Sequence, residues 1–173
     1  MIAYKFLDAG GAGRFSMFAW PRAEAGTSGD WVEATPSLCA SGIHACRVGD
    51  LPFWLDVELW RIELDGPVVE AHHKVISGRG RLAEHVVAWD QTAARDFSSA
   101  CPDRASELAR DAEALSGYVA DAHKNVGVGP VAVVGSISAR VAELVGGVAG
   151  YDAERATQVR WLADRLGLET DAR

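Results

Sequence analysis

The apolar pattern of this chain changes its period near residue 90, and that change constrains the fold more than any motif does. Before it, short runs rich in aromatic and β-branched residues are cut by glycine and proline; after it, apolar residues recur at every third or fourth position. An α+β fold is therefore expected. A small mixed, mainly antiparallel sheet would occupy residues 1–89, and a layer of about four helices over residues 90–173 would pack on it as one compact unit. With 173 residues, 49% of them hydrophobic, the chain can fill one core or two small adjoining ones.

Residues 2–7 read as a first strand, closed by Gly10, Gly11 and Gly13. Residues 15–20 read as a second, ended by Pro21, with a loop over 22–30 and a short strand over 31–34. Asp50 is placed to cap a short helix whose first turn tolerates Pro52, leaving Phe53, Trp54 and Leu55 to plug the sheet. Residues 60–64 alternate strictly, so Arg61 and Glu63 should face solvent. Asp65-Gly66-Pro67 reads as a turn and 68–76 as the returning strand, while 81–87 fits a last strand or the start of the first helix. That helix is capped by Asp90, carries Ala93, Ala94, Phe97 and Cys101 on one stripe, and should end at Pro102. A second spans Leu108 to Ala122, a third opens at Pro130 and stops at Gly146, Gly147 and Gly150, and a fourth runs from Asp152 to a stop at Gly167.

The net charge of −7, with no block of Lys or Arg, disfavours a phosphate backbone as partner, so no nucleic acid is expected. No uninterrupted apolar run approaches the roughly 18 residues of a bilayer span, and the first residues lack the order of a signal peptide. A cytoplasmic protein without membrane contact is expected. Three cysteines are an odd count, which fits thiols in a reducing compartment. Lysine occurs only at positions 5, 74 and 124 in a chain rich in Ala, Gly, Val and Arg, the usage of a high-GC bacterial genome.

Chemistry concentrates in residues 38–46, where Cys39, His44 and Cys46 surround Gly42. They are soft and borderline donors suited to zinc. The spacing lacks a C-x-x-C pair, however, and a fourth ligand would have to come from His72, His73, His85 or Cys101, so no metal is expected. In one reading, His44 hydrogen-bonds a backbone carbonyl at a sheet edge while the cysteines fill the core. In the other, Gly42 lets His44 point into a cleft as general base or ligand donor, with Cys46 on the same strand face. On that second reading His44 and Cys46 are the candidate catalytic residues, and Cys39, Trp54, Trp60, His72 and Lys74 are the candidate cofactor-binding or ligand-binding residues. Trp20, Trp31, Trp54 and Trp60 crowd this half of the chain; core packing explains most of them, and an aromatic-lined pocket beside His44 is the functional alternative. His72 would share a strand face with Lys74, where an anion could pair, whereas His72 and His73 would point to opposite faces. The segment 127–135 has neither the Lys-Ser/Thr of a P-loop nor G-x-G-x-x-G spacing, and neither G-x-S-x-G nor H-E-x-x-H occurs.

Residues 38–46, then Asp50-Leu-Pro52-Phe-Trp54, then residues 59–66 and Lys74, resemble an uncharacterised bacterial and phage domain family. In it, a Cys-x-x-Gly-apolar-His-x-Cys segment precedes an aromatic helix, a strand ending in Glu-x-x-Gly and a lysine, and pentapeptide repeats follow in some members. The resemblance covers about residues 1–85 and implies a fold unit without a reaction. A more distant likeness is to ADP-ribosyltransferase-like domains, which implies an NAD site with an acid late in the sheet; Glu70 would be that acid, and Tyr4 and Lys5 stand where such domains place Arg or His.

These features lead us to expect a small-molecule or partner-binding protein with a cleft centred on His44. The alternatives are an NAD-dependent transferase using the same cleft and a structural interaction module without a ligand. The residues specify no cofactor, and they leave a homodimer open.

Overall fold

The computed structural model describes residues 1–22, 27–37 and 41–169. The chain is α+β, and it divides into two compact units, residues 1–89 and the residues from Asp90 onward.

The first unit is built on an antiparallel sheet of five strands: β1 (Ile2–Leu7), β2 (Val32–Glu33), β3 (Ile43–Ala45), β4 (Glu58–Ala71) and β5 (Lys74–His85). The order is β1-β4-β5-β2, with β3 also paired to β5. Tyr4 and Cys46 exchange backbone hydrogen bonds at 2.8 Å in both directions, so the end of β3 returns to β1 and the pairing closes on itself. Ala3, Leu7, Ile43, Ala45, Trp60, Ile62, Leu64, Val75 and Leu82 fill the face this cycle encloses, together with Trp20 from the loop after β1. Arg61 and Glu63 face outward as the alternation requires, and they bond Glu84 and Arg81 across the β4–β5 ladder.

The structure moves one expected reversal and removes one expected strand. Residues 65–67 are not a turn; β4 runs through them with an irregular register between Asp65 and Val68, which accommodates Pro67 where the ladder needs no N–H. The chain reverses instead at His72-His73, with Ala71 opposite Lys74 and His73 at φ 57°. Residues 15–20 are not a strand either. They belong to a looped hairpin held by the single Ala12–Ala19 bridge and by the Asp8 carboxylate, which accepts from the Gly10 and Ala12 amides at 2.8 Å. Asp50 lies inside a 3₁₀ turn (Val48–Phe53) and does not cap it. Its buried carboxylate accepts from the backbone and guanidinium of the N-cap residue, Arg47.

The second unit holds α1 (Gln91–Leu108), α2 (Ser116–Asn125) and α3 (Val131–Leu166). Asp90 caps α1 by accepting from the Ala93 amide at 2.7 Å. Pro102 does not end α1: the helix continues through it, and Pro102 is buried on the stripe of Phe97, Cys101 and Ala105. Gly147, at φ 65° and ψ −156°, breaks α3 into two segments at the expected glycines, and Gly167 closes the second in the left-handed conformation. The segments are joined by buried polar groups. Gln158 donates to the Gly135 carbonyl at 2.9 Å and to Glu154 at 2.8 Å, Arg155 donates to Gln158 and Ser136, and Glu154 binds Arg104 of α1 through both oxygens. By length and composition alone α3 is apolar enough to cross a bilayer. The break at Gly147 and the buried Glu154, Arg155 and Gln158 are features of a helix that folds back on itself.

Candidate functional site

A cleft of about 630 Å³ opens in the first unit, between β1, β3 and the loop after β1. Its floor carries Lys5, His44 and Cys46. Its walls include Phe15, Phe18, Trp20 and Trp54, and Arg14, Glu33, Asp56 and Lys74 stand around it. The wall is unusually exposed for aromatic side chains. Phe15 is 80% exposed at the loop tip and meets Trp54 edge to face at 6.2 Å, and Phe18 meets Trp20 in the same manner at 5.7 Å.

Gly42 sets the position of His44. Its φ of 111° is open to glycine alone, and a Cβ there would lie 2.9 Å from the Ile76 side chain and 3.2 Å from the Pro36 backbone. The chain thus enters β3 at close range, placing His44 opposite Ile76. Gly42→Ala is expected to cost about 2 kcal/mol, read as a lower midpoint in urea with an unchanged slope; a midpoint equal to wild type would show that the entry to β3 can relax.

The His44 ring is hydrogen-bonded to the backbone of Ser41, and its Nε2 is buried with no partner. Since Nε2 is unbonded, the nitrogen facing the Ser41 carbonyl is Nδ1, which carries the proton and leaves Nε2 as a bare lone pair. Burial, and then the Lys74 ammonium, hold the imidazole below its ordinary pKa against that hydrogen bond, with a further push from Lys5. His44 is accordingly neutral at pH 7.

Lys5 shares the inward face of β1 with Ala3 and Leu7 and is half-buried. Its Nζ donates to the His44 carbonyl at 2.7 Å and lies 4.8 Å from the centre of the Trp20 ring. No carboxylate pairs with it among the described residues; burial pushes it down to about 8, slightly opposed by the Cys46 sulfur. A desolvated ammonium without a counter-ion is costly and therefore unusual.

Of the residues singled out from the sequence, the cleft brings together His44, Cys46, Trp54 and Lys74. Cys46 is only 2% exposed, and burial, then Asp50, raise its thiol far above the usual range, so it lines the cleft as an apolar group and offers no thiolate at neutral pH. The Trp54 Nε1 donates to the His73 carbonyl, which fixes its ring. Trp60 is not a cleft residue; it is buried in the core, donating to Glu58 at 3.0 Å. His72 is likewise outside the cleft. It sits in the β4–β5 turn with its ring 3.8 Å from that of His73, so the two do not point to opposite faces, because neither is on a strand. Cys39 lies outside the described residues. Among those described, no three His, Cys, Asp or Glu side chains converge as metal donors.

Sequence reasoning did not place Phe15 and Phe18 at the cleft, and it named Lys5 only through the ADP-ribosyltransferase likeness. For Lys5 the signal was present: it is the one charged residue in the run 2–7, at the parity of Ala3 and Leu7. No family model, curated protein or solved structure matches this chain.

Proposed function

We propose that this chain binds a small organic molecule in the His44 cleft, one with a planar apolar body and an oxygen acceptor at the Lys5 end. The observation that carries this reading is a cleft lined by Lys5, which has no carboxylate partner among the described residues, and by the exposed rings of Phe15 and Phe18. An exposed ring and a desolvated ammonium are both costly, and a ligand that stacks on the rings and accepts a hydrogen bond from Nζ compensates them. The transferase alternative asks for a carboxylate at Glu70 facing an NAD site. Glu70 is exposed and ion-paired with Arg47 at 2.8 Å, away from the cleft, so NAD enters only as one compound to be tried.

A thermal-shift screen of planar carboxylates, phosphates, aldehydes and ketones, NAD among them, tests the reading. At least one class should raise the melting temperature of the wild-type chain and leave that of His44→Ala unmoved, while the substitution itself shifts the unliganded midpoint little. If no compound acts and His44→Ala costs the 1–3 kcal/mol of a broken buried polar contact, His44 is a packing residue and the chain is better read as an interaction module.

A further inference from the structure

We infer that the ligand of the cleft is an aromatic monocarboxylate, its carboxylate bridging the Lys5 ammonium and the Trp20 indole N–H and its ring lying against Phe18. This rests on the reading of the cleft as a small-molecule site and names the chemical class that the site takes.

The two donors lie on one face of the sheet. Trp20 packs in the core with Ala3 and Leu7, whose parity on β1 Lys5 shares, and Nζ stands 4.8 Å from the centre of the Trp20 ring. Both donors have capacity left over. Nζ carries three protons and gives one to the His44 carbonyl at 2.7 Å. Trp20 is only 7% exposed, yet its Nε1, unlike those of Trp54, Trp60 and Trp89, donates to no acceptor among the described residues. A buried indole N–H normally finds a partner. Glycine at position 13 leaves the approach to this one open, since a Cβ there would stand 3.7 Å from Nε1.

The form of the acceptor follows from the donors. A carboxylate offers one oxygen to each at about 2.8 Å, and because Nε1 is an atom of the ring that Nζ overhangs, one carboxylate spans both. Charge agrees. The chain carries −7 overall, yet Lys5, Arg14 and Lys74 line the cleft against Glu33 and Asp56, an excess of one positive charge that a monoanion neutralises and a phosphate dianion overshoots. Phe18, 45% exposed, meets the Trp20 ring edge to face at 5.7 Å, so apolar surface begins beside the donors and continues to Phe15. That surface suits a flat aromatic body.

The test is isothermal titration of the full chain with 2-naphthoate, 2-naphthamide and 2-naphthyl phosphate. Naphthoate should bind about ten- to hundred-fold more tightly than the amide, the difference made by hydrogen bonds to a charged group, and more tightly than the phosphate. Lys5→Met should bring naphthoate down to the level of the amide. In the wild-type chain, the indole N–H proton resonance of Trp20 should move downfield as naphthoate is added. Amide or phosphate bound as tightly as naphthoate, an affinity untouched by Lys5→Met, or an unmoved Trp20 signal would overturn the carboxylate site and leave the small-molecule reading standing. If none of the three compounds binds, the carboxylate site fails; a thermal shift from another class then keeps the cleft as a site, and silence from every class removes both readings together.

Discussion

Truncation after Gly150 is expected to unfold the helical unit. The missing segment supplies Leu162 and Leu166, both buried, and Trp161, which meets Phe97 edge to face at 5.4 Å. It also supplies Glu154, Arg155 and Gln158. Losing a large buried apolar side chain costs about 2–5 kcal/mol, and a domain has only about 5–15 kcal/mol in total. Helicity per residue from circular dichroism should therefore fall well below the wild-type value and the unit's melting transition should vanish. A truncated chain that keeps its helicity and melting temperature would show that the second segment of α3 adds nothing to the unit. A single substitution isolates the polar part of the seam: Glu154→Ala leaves Arg104 and Gln158 without their acceptor and should cost about 3 kcal/mol.

Replacing Lys5 by methionine is expected to act in the opposite direction, raising stability at pH 7 by on the order of 2 kcal/mol while abolishing ligand binding. The sign follows from proton counting. Between about pH 8 and the ordinary lysine range near 10.5, the unfolded chain holds the Lys5 proton and the folded chain does not, so wild-type stability rises with pH across that window. Below it the folded chain bears a desolvated ammonium that methionine lacks. The advantage of Lys5→Met should therefore be full below pH 8 and shrink steadily above it. Cys46 contributes a fall in stability above pH 9, since only the unfolded chain releases that proton, and because Lys5 helps hold that thiol down the comparison is read below pH 9. Paired denaturant titrations from pH 6 to 9 measure this. A destabilised methionine variant would mean that the hydrogen bond to His44 outweighs desolvation, and that Lys5 is a structural residue.

The order of sheet and helices was legible because periodicity reports burial directly, and Asp90, the glycines around 147 and Gly167 end or break helices by local rules that need no tertiary information. What failed was local chemistry overridden by the fold. Gly66-Pro67 has the composition of a turn, yet β4 absorbs it as an irregularity because pairing with β5 continues on both sides. Pro102 has the signature of a helix end, yet α1 buries it and carries on. At the site, His44 was legible through Gly42, Trp54 through the crowding of tryptophan in this half of the chain, and Lys74 as a lone lysine in its stretch. Trp60 was misplaced although its alternation with Arg61 and Glu63 already put it on the buried face, and His72 because the β4–β5 reversal falls on it, a register that a single sequence does not disclose. Phe15 and Phe18 were hidden because a looped hairpin with one bridge has no period to read, whereas Trp20 was already named as an aromatic-pocket residue.

The β4–β5 hairpin joins residues that are close in sequence, whereas β1 pairs Ile2 with Glu63 and Phe6 with Leu59 across the length of the unit. Loop closure makes the first association early and the second late in folding. We expect the strand that carries Lys5 to dock after the rest of the sheet has formed, so that substitutions in the hairpin slow folding while substitutions in β1 mainly speed unfolding. The Lys5 ammonium would then stay in water until the last stage of assembly, so its desolvation falls on the final docking step and the cleft it lines exists only in chains that have finished folding.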